Sequence, residues 1–149
     1  MTISFDGQVA VVTGGGGGIG RVQAIELARR GASVVVNDVG GLGCPEGPSA
    51  DDVVAEIRAA GGAAVSSYDS VATPEGGKAI IECALDNFGT VDAVLHYAGT
   101  WRSVLFDEMT AELLDPVLDV HLRGGFFVTQ PAWPVMKAKG YDRIVLCSS

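Results

Sequence analysis

An unbroken apolar run, Val9-Ala10-Val11-Val12-Thr13, leads directly into five consecutive glycines, Gly14 to Gly18, and then into a segment of helical spacing. No other feature restricts the fold as much. An apolar run with no polar alternation is the mark of a strand covered on both faces, and such strands belong to the interior of parallel sheets. Parallel strands need long crossovers, usually helices, so the strand, turn and helix together read as the start of a βα repeat.

The rest of the chain repeats that unit. Ser33 to Asp38 is a second apolar run rich in β-branched valine, which favours a strand. Ala63 to Tyr68, Val91 to Tyr97 and Arg143 to Cys147 supply a third, fourth and fifth. Between them, Gly18 to Arg30 carries Ile19, Val22, Ile25 and Leu27 at near-helical spacing and stops at Gly31. Ser49 to Ala60 begins at a Ser cap, and Pro74 to Phe88 begins at Thr73-Pro74 and ends at Gly89. Leu113 to Lys139 is a longer helix or helix pair, in which Pro131 and Pro134 each remove a backbone donor and should kink the axis. Gly40 to Pro48 is a Gly/Pro-rich loop within one domain spanning residues 1–149. The expected fold is α/β, a Rossmann-type doubly wound parallel sheet of about five strands in the order 3-2-1-4-5.

Glycines at a strand-to-helix junction meet three needs: a tight turn, backbone approach to a pyrophosphate, and close helix–sheet packing. Taken without their surroundings, five consecutive glycines could also be a flexible linker. Here an acid follows in the expected place, Asp38, which ends the second strand 20 residues past Gly18. A carboxylate there accepts both hydroxyls of an adenosine ribose and repels a 2′-phosphate. No Lys or Arg lies among Gly14–Gly18 to attract that phosphate, so NAD is expected rather than NADP. The simpler reading of Asp38 is a carboxylate that caps a loop.

Charge and composition narrow the partners. A net charge of −8 disfavours binding to nucleic acid or to an anionic membrane through a basic surface. It does not disfavour an anionic cofactor, because helix-start N–H groups hold phosphate without lysine. No apolar run approaches the roughly 20 residues of a membrane span. The start, Met1-Thr2-Ile3-Ser4-Phe5-Asp6, lacks the pattern of a signal peptide. Cys44, Cys83 and Cys147 are odd in number and far apart, which suits reduced thiols in a cytoplasmic setting and gives no metal-ligand spacing.

Thr13-Gly14-x-x-x-Gly18-Ile19-Gly20 resembles the cofactor fingerprint of the short-chain dehydrogenase/reductase family. The similarity continues through Asn37-Asp38-Val39-Gly40-Gly41, Tyr68-Asp69-Ser70-Val71, Phe88-Gly89-x-Val91-Asp92, Ala98-Gly99 and Val120-His121-Leu122-Arg123-Gly124. Within the family these stretches are most similar to the (3R)-hydroxyacyl-CoA dehydrogenase domain of multifunctional β-oxidation enzymes. The resemblance implies an NAD-dependent oxidoreductase acting on a small-molecule alcohol or ketone, with an acyl-CoA as a candidate substrate, and a homo-oligomer. It implies that Gly14, Gly18, Ile19 and Gly20 contact the pyrophosphate and Asp38 the adenosine ribose. Asp69, Ser70 and Val71 would edge the adenine, and Tyr97, Ala98 and Gly99 would run beside the nicotinamide ribose. Asp92 would be structural. Ser149 falls where the family places its catalytic serine; the plain alternative for Ser148 and Ser149 is a polar strand end.

The chain departs from the family's pattern at three points. His96-Tyr97-Ala98-Gly99 stands where the family usually has Asn-Asn-Ala-Gly, and losing two amides should alter the bonds between the fourth strand and its neighbours. His121 stands where Asn is usual, although His is typical of the multifunctional-enzyme subgroup. Trp101 and Arg102 either line a substrate mouth or form an ordinary surface loop. The family's Tyr-x-x-x-Lys, whose lysine lowers the tyrosine pKa for proton exchange with substrate oxygen, is not found. None of Tyr68, Tyr97 and Tyr141 has Lys four positions on. The expectation is therefore the N-terminal portion of a dehydrogenase, cut short before its proton-transfer pair and inactive alone. The alternatives are a non-catalytic NAD-binding module, a degenerate remnant or a half completed by another chain. Ile144, Val145 and Leu146 would lie on an open sheet edge that invites self-association.

Overall fold

The computed structural model describes residues 3–40 and 49–148. Most of the Gly40–Pro48 loop, together with Cys44 and Ser149, lies outside the described residues. Five parallel strands form one sheet in the order β3-β2-β1-β4-β5. These are β1 Val9–Thr13, β2 Ser33–Asn37, β3 Ala63–Ser67, β4 Ala93–His96 and β5 Arg143–Leu146. Helices α1 Gly18–Arg29, α2 Ala50–Ala59 and α3 Pro74–Phe88 are three of the crossovers. After β4 the chain makes a 3₁₀ turn, Phe106–Glu108. It then runs through α4 Ala111–Leu118, a π-helical turn Asp119–Arg123 and α5 Gly124–Lys139. The doubly wound architecture and strand order are those the sequence predicts.

Strand alternation divides the core between the two faces. Ala10, Val12, Val34, Val36 and Leu95 pack under α1 and α2 with Ala24, Val53 and Ile57. Val9, Val11, Val35 and Val94 pack under α3 and α5 with Ile80, Ile81, Val128 and Met136. The buried side of α1 is Gly20, Ala24 and Ala28, small residues that let the helix lie close to the strands.

Helix boundaries follow local chemistry. Ser49 and Asp52 form a reciprocal capping box on α2. Thr73 caps α3, Pro74 opens it, and Gly89 ends it at φ +77°. Pro131 and Pro134 both lie within the single helix α5. Pro131 has no amide to offer the Phe127 carbonyl, and that carbonyl lies against α3 at Gly77, where a Cβ would come within 2.4 Å of it. Glycine at 77 thus permits the close α3–α5 contact. The π-helical turn and Pro116 inside α4 are features the apolar periodicity does not disclose. Among the described residues no helix is long and apolar enough to cross a membrane.

Candidate functional site

In an open parallel sheet, ligands bind beyond the carboxyl ends of the strands where the strand order reverses, here between β1 and β4. Four strands end in a buried polar residue, Thr13, Asn37, Ser67 and His96. These lie in one register row, with Thr13 opposite both Asn37 and His96, and Asn37 opposite Ser67. They continue the face that covers α3 and α5, so the row closes that half of the core at its ligand-facing end.

The row is wired by side chains. The Asn37 amide donates to the Ser67 carbonyl and Oγ and, at 2.9 Å, to the Asp69 carbonyl, which fixes the segment after β3. On the other side Thr13 Oγ1 lies 2.9 Å from His96 Nδ1, and the Ala98 amide donates to Thr13 Oγ1 at 3.2 Å. His96 Nε2 lies 3.0 Å from the Val120 carbonyl in the π-helical turn. A carbonyl only accepts, so Nε2 carries the proton and Nδ1 accepts from the Thr13 hydroxyl. That is the neutral imidazole. Burial pushes the His96 pKa below its ordinary value, the Val120 carbonyl opposes the shift, and His121 adds to it. The altered strand-end bonding expected from the missing amides thus takes a definite form, one histidine joining β1, β4 and the π-helical turn.

Next to this row is the glycine turn. Gly14 has φ +64°, and a Cβ on it would come within 2.7 Å of the Ala98 nitrogen. A Cβ on Gly20 would come within 2.2 Å of the Gly14 carbonyl. Gly18 has φ +50°, and open space stands where a Cβ would be at both Gly17 and Gly18. The Gly17 cap makes no side-chain bond, and the first turn of α1 holds no acidic residue. By contrast, Ser49 and Thr73 cap α2 and α3, which carry Asp51, Asp52 and Glu75 in their first turns. The start of α1 therefore keeps its N–H groups and its partial positive charge for an outside anion, as a pyrophosphate requires.

Half-buried Asp38 follows β2 and accepts from the Gly16 amide at 3.0 Å through Oδ2 and from the Gly40 amide at 2.9 Å through Oδ1. It therefore holds the glycine turn and the next loop together, as the loop-capping reading requires. Each oxygen retains a lone pair, so acceptance from ribose hydroxyls remains chemically open. Ile19 is exposed on the first turn of α1. Asp69 and Ser70 are exposed at the end of β3, whereas the Val71 side chain is buried against Gly124, leaving its backbone to meet a ligand. Tyr97, Ala98 and Gly99 lie beyond β4, with Ala98 against the glycine turn. His121 Nε2 lies 2.7 Å from the Thr100 carbonyl, and its ring fills the space a Cβ on Gly99 would take. Trp101 is 75% exposed, and Arg102 bonds back to Thr100 and the Trp101 carbonyl. The Cys147 amide donates to the His96 carbonyl, so the chain leaving β5 reaches the same end of the sheet. Catalytic candidate Ser149 lies outside the described residues.

Sequence reasoning assigned no role to the Thr13 hydroxyl, the Asn37 amide or the Val120 carbonyl. A signal was present for the first two: each of the first four strands ends on a polar residue after apolar ones. Asp92, expected to be structural, accepts from the Val9 amide at 2.9 Å and pairs with Lys139. Among the described residues no three His, Cys, Asp or Glu side chains gather as metal ligands would.

The model of the short chain dehydrogenase family matches residues 8–149. The chain is 47% identical to peroxisomal multifunctional enzyme A of Dictyostelium discoideum, over all of this chain and 34% of that protein. It is 49% identical to peroxisomal multifunctional enzyme type 2 of Mus musculus, over 99% of this chain and 20% of the relative. Among solved structures, a short chain dehydrogenase from Mycobacterium avium superposes with a TM-score of 0.86 at 38% identity, over 97% of this chain and 53% of the other. The chain thus spans from about a sixth to about half of the length of the relatives it matches.

Proposed function

The chain belongs to the short-chain dehydrogenase family, and from that premise we propose that residues 1–149 are the NAD-binding domain of an oxidoreductase that interconverts a hydroxyl and a carbonyl group. The observation that carries this reading is the uncapped, acid-free start of α1 beneath the glycine turn, with Asp38 at the adjoining strand end. The pyrophosphate would lie over Gly14, Gly18, Ile19 and Gly20, and the adenosine ribose at Asp38. The adenine would lie along Asp69, Ser70 and the Val71 backbone, and the nicotinamide ribose beside Tyr97, Ala98 and Gly99. Bound NAD would supply the hydride acceptor. Ser149 would orient the substrate oxygen.

The relatives point to the substrate class. Several are named as peroxisomal multifunctional enzymes, and another as a peroxisomal hydratase-dehydrogenase-epimerase. With the motif similarity, this supports a 3-hydroxyacyl-CoA as the small-molecule substrate. None of Tyr68, Tyr97 and Tyr141 has a partner lysine four residues on, so residues 1–149 alone are expected to bind cofactor without turning substrate over. Binding isotherms with NADH and NADPH test the proposal. NADH should bind at least about tenfold tighter, a difference of about 1.4 kcal/mol. Equal affinities would remove the role given to Asp38, and failure to bind either would remove the cofactor reading. Turnover of a 3-hydroxyacyl-CoA by this chain would overturn the expected inactivity.

A further inference from the structure

We propose that His96 is a positioning residue that, only as the neutral Nε2–H imidazole, holds the seam between the glycine turn and the Tyr97–Gly99 segment, so that its protonation loosens cofactor binding. The cofactor half of this statement rests on the function proposed above; the structural half does not.

The bonds run from Ala98 N–H to Thr13 Oγ1, from the Thr13 hydroxyl to His96 Nδ1, and from His96 Nε2–H to the Val120 carbonyl. Every donor in this series has an acceptor. A proton added at Nδ1 turns that nitrogen into a donor. The two lone pairs of Thr13 Oγ1 can take both Nδ1–H and Ala98 N–H, but the Thr13 proton loses its acceptor and the hydroxyl must rotate to find another. That rotation re-aims the lone pairs, and the Ala98 bond, the longer of the two bonds to Thr13 at 3.2 Å against 2.9 Å, is the one it should weaken. Ala98 N is also the atom that a Cβ on Gly14 would meet at 2.7 Å. A proton on His96 is therefore felt where the pyrophosphate turn touches the segment proposed to run beside the nicotinamide ribose.

The surroundings of His96 offer little to stabilise that proton. It is 2% exposed. The β1 strand brings no charged residue, and α5 approaches the ring with Gly125, its lysines lying at the far end. At its near end β5 brings Leu146 and then Cys147, with Arg143 at the opposite end. The π-helical turn brings His121, also a base, together with Asp119 and Arg123, which pair with each other. On β4 itself the ring's neighbours are Leu95 and Tyr97.

The test is a pH titration of the isotopically labelled 149-residue chain by NMR, from about pH 8 to about pH 5. His96 should show the Nε2–H tautomer at neutral pH, and the Ala98 amide should shift with the same midpoint as His96. In T13V the His96 titration should remain while the Ala98 shift disappears. The Thr100 amide, in contact with His121, reports that second histidine separately. An Nδ1–H tautomer, an imidazole already charged at neutral pH, or an Ala98 amide that does not follow His96 would each overturn the proposal.

A parallel NADH titration should show affinity falling about tenfold across the same interval in the wild type, and no such fall in H96N, which keeps one donor and one acceptor but cannot titrate. NADH affinity independent of pH alongside a moving Ala98 amide would overturn the cofactor half. Absence of NADH binding at every pH would instead refute the proposed function and that half with it, leaving the hydrogen-bond half to be decided by the amide shifts.

Discussion

At the scale of single residues, the site depends on atoms that cannot be enlarged or left unpaired. Gly14→Ala places a Cβ at φ +64° against the Ala98 backbone, and Gly20→Ala drives one onto the Gly14 carbonyl. Each should lower stability by about 1–3 kcal/mol, while Gly17→Ala, with open space around it, should cost under about 0.5 kcal/mol. Thermal denaturation of the three variants checks that ordering, and equal melting temperatures would contradict it. Asp92→Ala strands the Val9 amide and Lys139 together and should cost about 2–3 kcal/mol by urea unfolding. For His96 the sign follows from linkage. Its folded pKa lies below the ordinary 6.5, so the unfolded chain binds the proton first as pH falls. The His96 contribution is therefore intact above the unfolded value and is lost as pH drops toward the folded one, by at most about 1.4 kcal/mol per pH unit. Unfolding curves of wild type and H96N should diverge in that window alone.

Among the elements, legibility in the sequence tracks how local the cause is. Val9–Thr13, Ser33–Asn37 and the first three helices are visible because each carries its own periodicity and its own cap or stop. Ser49→Ala should lower stability by about 1 kcal/mol through loss of the capping box on α2, measurable as a shift in urea midpoint at unchanged slope. The glycine turn and Asp38 were legible because a turn that approaches a phosphate needs residues of a particular kind at fixed spacing. The π-helical turn was not legible. No residue type specifies it, and its purpose, presenting the Val120 carbonyl to His96, exists only once β4 and the helix are side by side. The same holds for Asn37 and Thr13, whose side chains bond to partners 30 or more positions away in sequence. Pro131 is legible in the sequence as a lost donor, but its use in bringing α3 close at Gly77 depends on the packed pair.

For the whole molecule, the distribution of apolar surface leads to one further expectation. Each face of the sheet carries a buried core, yet large apolar side chains remain outside it. Trp101 and Phe106 stand out between β4 and α4, with Phe106 97% exposed. Leu122 and Phe126 are four residues apart, so they share one helical face across the π-helical turn and α5, and Trp133 lies two turns further along. Val145 and Leu146 are exposed on β5, at one end of the sheet order. Scattered apolar residues are ordinary, but a set of this size spread over one helix, one loop and one sheet edge favours association over solvation. The net charge of −8 opposes association at low ionic strength, and salt screens that repulsion while leaving the apolar attraction intact. The expected outcome is self-association that strengthens with added salt, read as a rising mean mass in light scattering. The double variant L122D/F126D should move the population toward monomer without changing the circular dichroism of the fold. A wild-type chain that stays monomeric at both low and high salt would show that the exposed apolar side chains do not drive association even with the charge repulsion screened.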